Sequence, residues 1–131
     1  MIRTILSALT FILLTACTHN NGDIGDLFGK WQLQEVKNEK ETISYNHIFY
    51  NFQDAVVILQ YLESTHVVKD ARGYFIHEQD SLHLHMVDLS DTVYIHRFAL
   101  PDTTVTFEIK KLTRNEMVLS HEGNEWFLKK Y

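Results

Sequence analysis

Hydrophobic and polar residues alternate along much of the chain after residue 28, as they do in strands that bury one face. The clearest run is 104–110, in which Val105, Phe107 and Ile109 alternate with polar residues. Shorter alternating runs, separated by polar turns, fall at 31–36, 74–76, 82–86, 117–119 and 126–128. Short strands at close spacing predict an all-β fold, a small antiparallel up-and-down β-barrel of about eight strands or a sandwich.

Two stretches do not follow this alternation. Residues 48–62 are apolar on all sides, and Phe52, Val56 and Leu59 fall on one helical stripe. Their β-branched and aromatic neighbours favour two strands that turn near Gln53-Asp54, with a helix as the alternative. Residues 92–100 are also ambiguous, so the predicted barrel leaves room for one short helix.

The first seventeen residues have the features of an export signal. Arg3 is followed by an apolar run over 5–14 and by small residues before Cys17. The run is about half of the roughly 20 residues that a helix needs to span a bilayer. We therefore expect residues 1–16 to be a cleaved signal peptide.

Leu14-Thr15-Ala16-Cys17 resembles the lipobox of bacterial lipoproteins, in which the cysteine is lipidated and becomes the first mature residue. An ordinary secretory signal with an incidental cysteine is the alternative, although Cys17 is the only cysteine and has no disulfide partner. The resemblance implies a membrane anchor through acyl chains, such as palmitate, on Cys17. Thr18 follows in place of an aspartate, which by analogy with envelope sorting favours the outer membrane.

Length and charge bound the rest of the chain. Residues 17–27 are polar and rich in Gly, Asn and Asp, so we expect the lipidated cysteine and a flexible tether there, followed by one barrel domain over 28–131. The formal net charge of the whole chain is −5. A negative surface argues against nucleic acid as a partner and against electrostatic attraction to anionic lipid.

Gly29-Lys30-Trp31 resembles the first signature of lipocalins, which opens the first strand. The resemblance implies that Gly29 and Trp31 close one end of the barrel beside a basic side chain of the last strand, for which Lys129 is the first candidate and Lys130 the alternative. Together with the lipobox and tether, this layout is similar to small lipocalin-like lipoproteins of Bacteroidetes. The domain is shorter than typical lipocalins and lacks their second and third motifs, which predicts a shallower cup.

Apolar and aromatic residues of the predicted strands are candidates to line a ligand cavity. An eight-stranded barrel is either filled by its own side chains or holds one small ligand. The alternative is therefore that these residues only form the core. The cavity candidates are Tyr50, Phe52, Leu59, Tyr74, Ile76, Leu84, Phe107 and Ile109.

Three histidines form the one sequence pattern that resembles a metal-binding site. His83 and His85 are two residues apart on a predicted strand and share a face, and His77 is expected diagonally across on the same face. Three imidazoles could bind Zn²⁺ or Cu²⁺, but the simpler interpretation is that they face water, so we predict no metal and no cofactor.

The sequence shows no nucleophile elbow and no Gly-rich phosphate loop, so we do not expect an enzyme. Two functions agree with the pattern. The first is a lipid-anchored protein of the cell envelope that holds a small apolar or amphipathic ligand in its barrel. The second is a structural lipoprotein with a solid barrel that binds another envelope protein.

Overall fold

The computed structural model describes residues 25–89 and 94–131. The predicted signal peptide, Cys17 and most of the tether lie outside these ranges. The described ranges form nine strands and one turn of 3₁₀ helix: β1 Gly29–Lys37, β2 Thr42–Ser44, β3 Ile48–Gln53, β4 Val56–Leu62, β5 Val68–Glu78, β6 Ser81–Leu89, the 3₁₀ helix Ile95–Phe98, β7 Thr104–Leu112, β8 Glu116–His121 and β9 Asn124–Lys130.

The sheet is a closed antiparallel barrel. From β3 onwards each strand pairs with the next along the chain, and β1 pairs with both β3 and β9, which closes eight strands into a cylinder. The remaining strand, β2, lies outside this cylinder of eight and pairs only with the last residues of β1, where Glu35 faces Ser44 and Lys37 faces Thr42. The predicted all-β barrel is confirmed, and the short helix is a single 3₁₀ turn between β6 and β7.

Residues 48–62 form two strands, as their β-branched content indicates. The turn between β3 and β4 contains Asp54, whose φ of 49° lies in the left-handed region that Asp tolerates. On β3, Tyr50 and Phe52 are fully buried in the barrel, while Phe49 points outward and is only 4% exposed. Tyr131 covers the Phe49 ring at 5.0 Å between centroids. This outer cover explains why the segment is apolar on both faces.

The core is the inside of the barrel. It is built from the inward-facing residues of the eight strands, and within residues 25–89 and 94–131 no polar or charged residue is classed as buried. Burial of each large apolar side chain contributes about 1.5–3 kcal/mol, which makes this interior the main source of stability.

The antiparallel pairing places the strand ends at two distinct barrel ends. The lower end holds the start of β1, the end of β9 and the turns after β3, β5 and β7. The upper end holds the remaining turns, including the long connection from β6 to β7 that carries the 3₁₀ helix.

Candidate functional site

The upper end is closed by a loop segment, residues 94–100, which we call the upper plug. Its apolar side chains enter the barrel: Ile95 is 8% exposed, Phe98 0% and Leu100 1%. The 3₁₀ helix ends at Phe98 and is capped by Ala99, whose φ of 63° is left-handed, and Pro101 follows two residues later. A backbone that turns there points Phe98 and Leu100 inward while the exposed Tyr94 faces solvent.

Two side chains of the barrel hold the upper plug by its main-chain carbonyls. The Tyr50 hydroxyl donates a hydrogen bond to the carbonyl oxygen of Phe98 at 2.5 Å. The Trp126 indole Nε1–H donates to the carbonyl oxygen of Ala99 at 2.8 Å. The barrel therefore presents two hydrogen-bond donors to two successive carbonyl groups.

The two donors lie side by side and remain neutral. Burial raises the pKa of the Tyr50 hydroxyl, and a hydrogen bond with the Trp126 side chain opposes this only in part. A tyrosine in this setting stays protonated at any physiological pH and keeps its donor. On the outside of the plug, the Arg97 guanidinium lies 5.8 Å from the centre of the Tyr61 ring.

The lower end is closed differently, by residues near the start of β1 and at the end of β9. Trp31 is fully buried, and its Nε1–H donates to the Leu27 carbonyl oxygen at 2.9 Å. The Lys130 ammonium lies 4.3 Å from the Trp31 ring centre and donates to the carbonyls of Asp26 and Phe28. Burial lowers the pKa of Lys130, and the charge of Asp26 opposes this.

The basic side chain that covers Trp31 is Lys130, so the prediction of Lys129 in this role is wrong. Trp126 and Leu128 point into the barrel, and alternation along β9 sends Lys130 to the same side and Lys129 to solvent. Gly29 lies under this lysine with a φ of 120°, and a Cβ atom there would meet Lys130 Nζ at 3.1 Å. The positive φ explains why glycine precedes the tryptophan by two residues.

Most of the predicted cavity residues face the interior. Tyr50, Phe52, Leu59, Leu84 and Phe107 are 0% exposed and Ile109 is 9% exposed. That they line a ligand site stays a prediction.

Tyr74 and Ile76 do not line the interior, and their assignment to the cavity is wrong. They are 44% and 47% exposed on the outer face of β5, because Phe75 between them points inward. The adjacent Gly73 sits so close to β6 that a Cβ atom there would meet the His85 carbonyl oxygen at 2.1 Å. This close approach, where the pairing of β5 with β6 shifts register, explains why residue 73 is glycine.

His83 and His85 share the outer face of β6, but His77 does not join them. Each of the pair is hydrogen-bonded to a threonine of β7: His83 Nδ1 lies 2.8 Å from Thr106 Oγ1 and His85 Nδ1 lies 3.0 Å from Thr104 Oγ1. His77 pairs with the buried Leu82 and belongs to the inward-facing set of β5, so the expectation of three histidines on one face is wrong. In the part of the chain that the structure describes, no group of three or more His, Cys, Asp or Glu side chains could hold a metal ion.

Phe98 and Trp126 are site residues that the alternation of apolar and polar positions does not indicate. Both residues are aromatic, and Leu100-Pro101-Asp102-Thr103, close to Phe98, has the composition of a turn. The hydrogen bond from Tyr50 to Phe98 joins residues 48 positions apart, which no local pattern reveals.

No helix within the described ranges is long and apolar enough to cross a membrane.

Comparisons with known proteins agree with this architecture. The family model described as "Lipocalin-like domain" matches residues 12–131. A lipocalin-like protein from Bacteroides uniformis has a solved structure that is similar with a TM-score of 0.74 and 24% identity, covering 82% of this chain and 100% of the other. An uncharacterized protein from Bacteroides eggerthii is similar with a TM-score of 0.71 and 25% identity, covering 79% of this chain and 98% of the other. A search of curated proteins found no match.

Proposed function

Because the chain belongs to the lipocalin-like domain family, we propose that it is a binding protein that holds a small apolar or amphipathic molecule inside its barrel. The observation that carries this proposal is the upper plug. The space between the strands at the upper end is filled by a connecting segment, and a ligand gains that space when the segment moves out.

The contacts of the plug are of a kind that a ligand can replace. Phe98 and Leu100 contribute apolar burial, and the two carbonyl hydrogen bonds contribute about 0.5–1.5 kcal/mol each. A molecule with an apolar body regains the apolar burial that the plug provides inside the barrel when it takes the place of the plug. The proposal includes no catalytic step.

Binding of the dye Nile red to the purified protein, followed by its fluorescence, tests this function. Phe98→Ala shrinks the plug and should raise the affinity for the dye several-fold, since less apolar surface has to be displaced. Ala71→Leu adds volume inside the barrel and should lower the affinity, because Ala71 is fully buried.

Tyr94→Ala is the matched control, because Tyr94 belongs to the same segment but is 73% exposed. It should leave the affinity for the dye unchanged. Dye binding that responds to Tyr94→Ala and not to Phe98→Ala or Ala71→Leu would place the dye on the outside and contradict an interior site. Native mass spectrometry of the protein recovered from its own membrane then identifies the natural ligand.

We further propose that lipid on Cys17 anchors the protein in the cell envelope, at the outer membrane. The export pattern of residues 1–16 and the lipobox-like Leu14-Thr15-Ala16-Cys17 support this proposal. Cells fed labelled palmitate should label the protein, and Cys17→Ser should abolish the label while Thr18→Ser preserves it. Thr18→Asp should shift the protein towards the inner membrane, and labelled Cys17→Ser protein would contradict the anchor.

A second candidate function, binding of another envelope protein by a solid barrel, is favoured by an apolar strip on the outer face. Val56 on β4 pairs directly with Tyr74 on β5, and with Ile76 they are 44–47% exposed. Neighbouring exposed apolar residues mark many protein interfaces. Under this function, Tyr74→Asp and Ile76→Asp should each abolish crosslinking of the protein to its partner. Phe98→Ala should leave the yield of crosslinked product unchanged.

A further inference from the structure

We infer that the ligand of the barrel carries an uncharged carbonyl group, as an ester or amide does, which replaces the plug carbonyls at Tyr50 and Trp126. This inference rests on the proposed function, since it names the chemistry of the molecule that takes the place of the upper plug. The upper plug itself serves as the template, because it presents both an apolar body and carbonyl oxygens to the barrel.

The two barrel groups that meet the plug both donate. An indole Nε1–H has no acceptor capacity, and the Tyr50 hydroxyl uses its proton on the Phe98 carbonyl. When the plug leaves, both donors remain inside an apolar barrel and need a new acceptor. A pure hydrocarbon leaves the Tyr50 hydroxyl proton unpaired, because only the Trp126 N–H can turn to a neighbouring acceptor, the Tyr50 oxygen, whereas a carbonyl oxygen restores the bond of the hydroxyl.

The surroundings select a neutral acceptor over a carboxylate. No charged residue is buried within residues 25–89 and 94–131, and the inward-facing His77 lies on β5 near the lower end, so no buried cation is present beside Tyr50 and Trp126 to pair with an anion. Lys130 is committed to Trp31 and to carbonyls at the opposite end of the barrel. Arg97 lies over the Tyr61 ring on the outer side of the plug. A free fatty acid must therefore enter in its protonated form.

Isothermal titration calorimetry of the purified protein with three matched probes tests the inference. The probes are methyl decanoate, decanoate and decane, which share a chain and differ in the head group. The ester should bind at least about tenfold more tightly than decane, because an unpaired buried donor costs about as much as a tenfold change in affinity. Decanoate should bind more weakly than the ester at neutral pH and approach it as the pH falls and its carboxyl group becomes protonated.

Removal of each donor separates the recognition of the carbonyl from the stability of the plug. Tyr50→Phe should reduce the ester-to-decane affinity ratio by roughly fivefold or more, and Trp126→Phe should reduce it by less, because the Trp126 N–H has the Tyr50 oxygen as an alternative acceptor. Any loosening of the plug in these variants changes both affinities together and leaves the ratio unaffected. Tyr74→Phe removes a hydroxyl from the outer face and should not change the ratio.

The outcomes distinguish this inference from the proposed function. Equal ratios in wild type, Tyr50→Phe and Trp126→Phe overturn the carbonyl inference while interior binding stands. Tighter binding of decanoate than of the ester at neutral pH overturns the preference for an uncharged group. If none of the probes binds even to Phe98→Ala, the proposed function itself fails.

Discussion

The two ends of the barrel are closed by different means. At the lower end, Trp31 and Lys130 belong to paired strands, and they bind the carbonyls of Leu27, Asp26 and Phe28 in the segment that leads into β1. At the upper end, the closing residues belong to a long connection and are bound through the carbonyls of Phe98 and Ala99.

This difference separates a structural closure from one that can open. Opening the lower end requires the β1–β9 pairing that completes the barrel to break, because Trp31 and Lys130 face each other across it. Opening the upper end requires only that residues 94–100 move, which leaves every strand pair in place. Local openings of low free energy occur where few such contacts must break, so the upper end is the expected entrance.

The largest effect on stability is expected from substitution of the aromatic residue that seals each end, Trp31 at the lower end and Phe98 at the upper end. Trp31→Ala should lower the free energy of unfolding by about 4 kcal/mol, because the strands around Trp31 cannot collapse into the cavity. Phe98→Ala should cost only about 2 kcal/mol, since its segment can rearrange or leave. Urea unfolding followed by circular dichroism measures both.

Tyr94→Ala is the control for this pair and should stay within about 0.5 kcal/mol of wild type, because its side chain faces solvent. Equal losses for Trp31→Ala and Phe98→Ala would mean that the plug is as rigid as the strands. The contrast between the two ends would then be wrong.

The second effect compares a glycine at each end. Gly29→Ala should cost about 2–3 kcal/mol, since φ is 120° and the added Cβ meets Lys130 Nζ at 3.1 Å. Gly123→Ala, in the turn between β8 and β9 at the upper end, should cost about 1 kcal/mol, since φ is 80° but nothing lies within 4 Å of the added Cβ. Thermal unfolding of the two variants gives the order, and a larger loss for Gly123→Ala would contradict the tighter packing of the lower end.

The third effect compares the two neighbouring lysines of β9. Lys130→Met should lower the free energy of unfolding by about 1 kcal/mol, because it removes the cation over Trp31 and the bonds to two carbonyls. Lys129→Met is the matched control and should change stability by less than about 0.5 kcal/mol, because Lys129 points to solvent. The midpoints of urea unfolding of the two variants measure this difference. An equal effect of both substitutions would refute the role of Lys130 as the cover of Trp31.

The sequence predicts the barrel because alternation is visible wherever one face of a strand is polar. It also held the information that selects Lys130, since counting by twos from Trp126 through Leu128 reaches residue 130. β5 is different, because Tyr74, Phe75 and Ile76 are all apolar, and only a count by twos from the charged Arg72 assigns Tyr74 and Ile76 to the outer face. The close approach of Gly73 to the β6 backbone, by contrast, exists only in the folded barrel and no pattern predicts it.

The upper plug is beyond what a pattern can show. Residues 92–100 carry a helix signal too short to interpret, and the partners of the plug carbonyls come from β3 and β9. Tyr50 was selected as an interior residue for its apolar ring, but its role as a donor depends on where Phe98 comes to rest. The sequence therefore locates the wall of the candidate site and misses the group that fills it.

The smallest expected effect lies on the rim of the lower end, at the turn between β7 and β8. Glu116 accepts a hydrogen bond from Lys111 at 2.6 Å. This hydrogen bond is the main cause that lowers the pKa of the Glu116 carboxyl group below its usual 4.5, and the positive charge of Lys111 is the second cause. A carboxyl group whose pKa is lower in the folded state stabilises the fold above its unfolded pKa, and this contribution disappears as the pH falls through the folded pKa. Glu116→Gln should therefore lower the urea midpoint slightly at neutral pH, and the gap to wild type should close below about pH 4.5. A gap at Glu116 that persists in acid would exclude the ion pair as its cause.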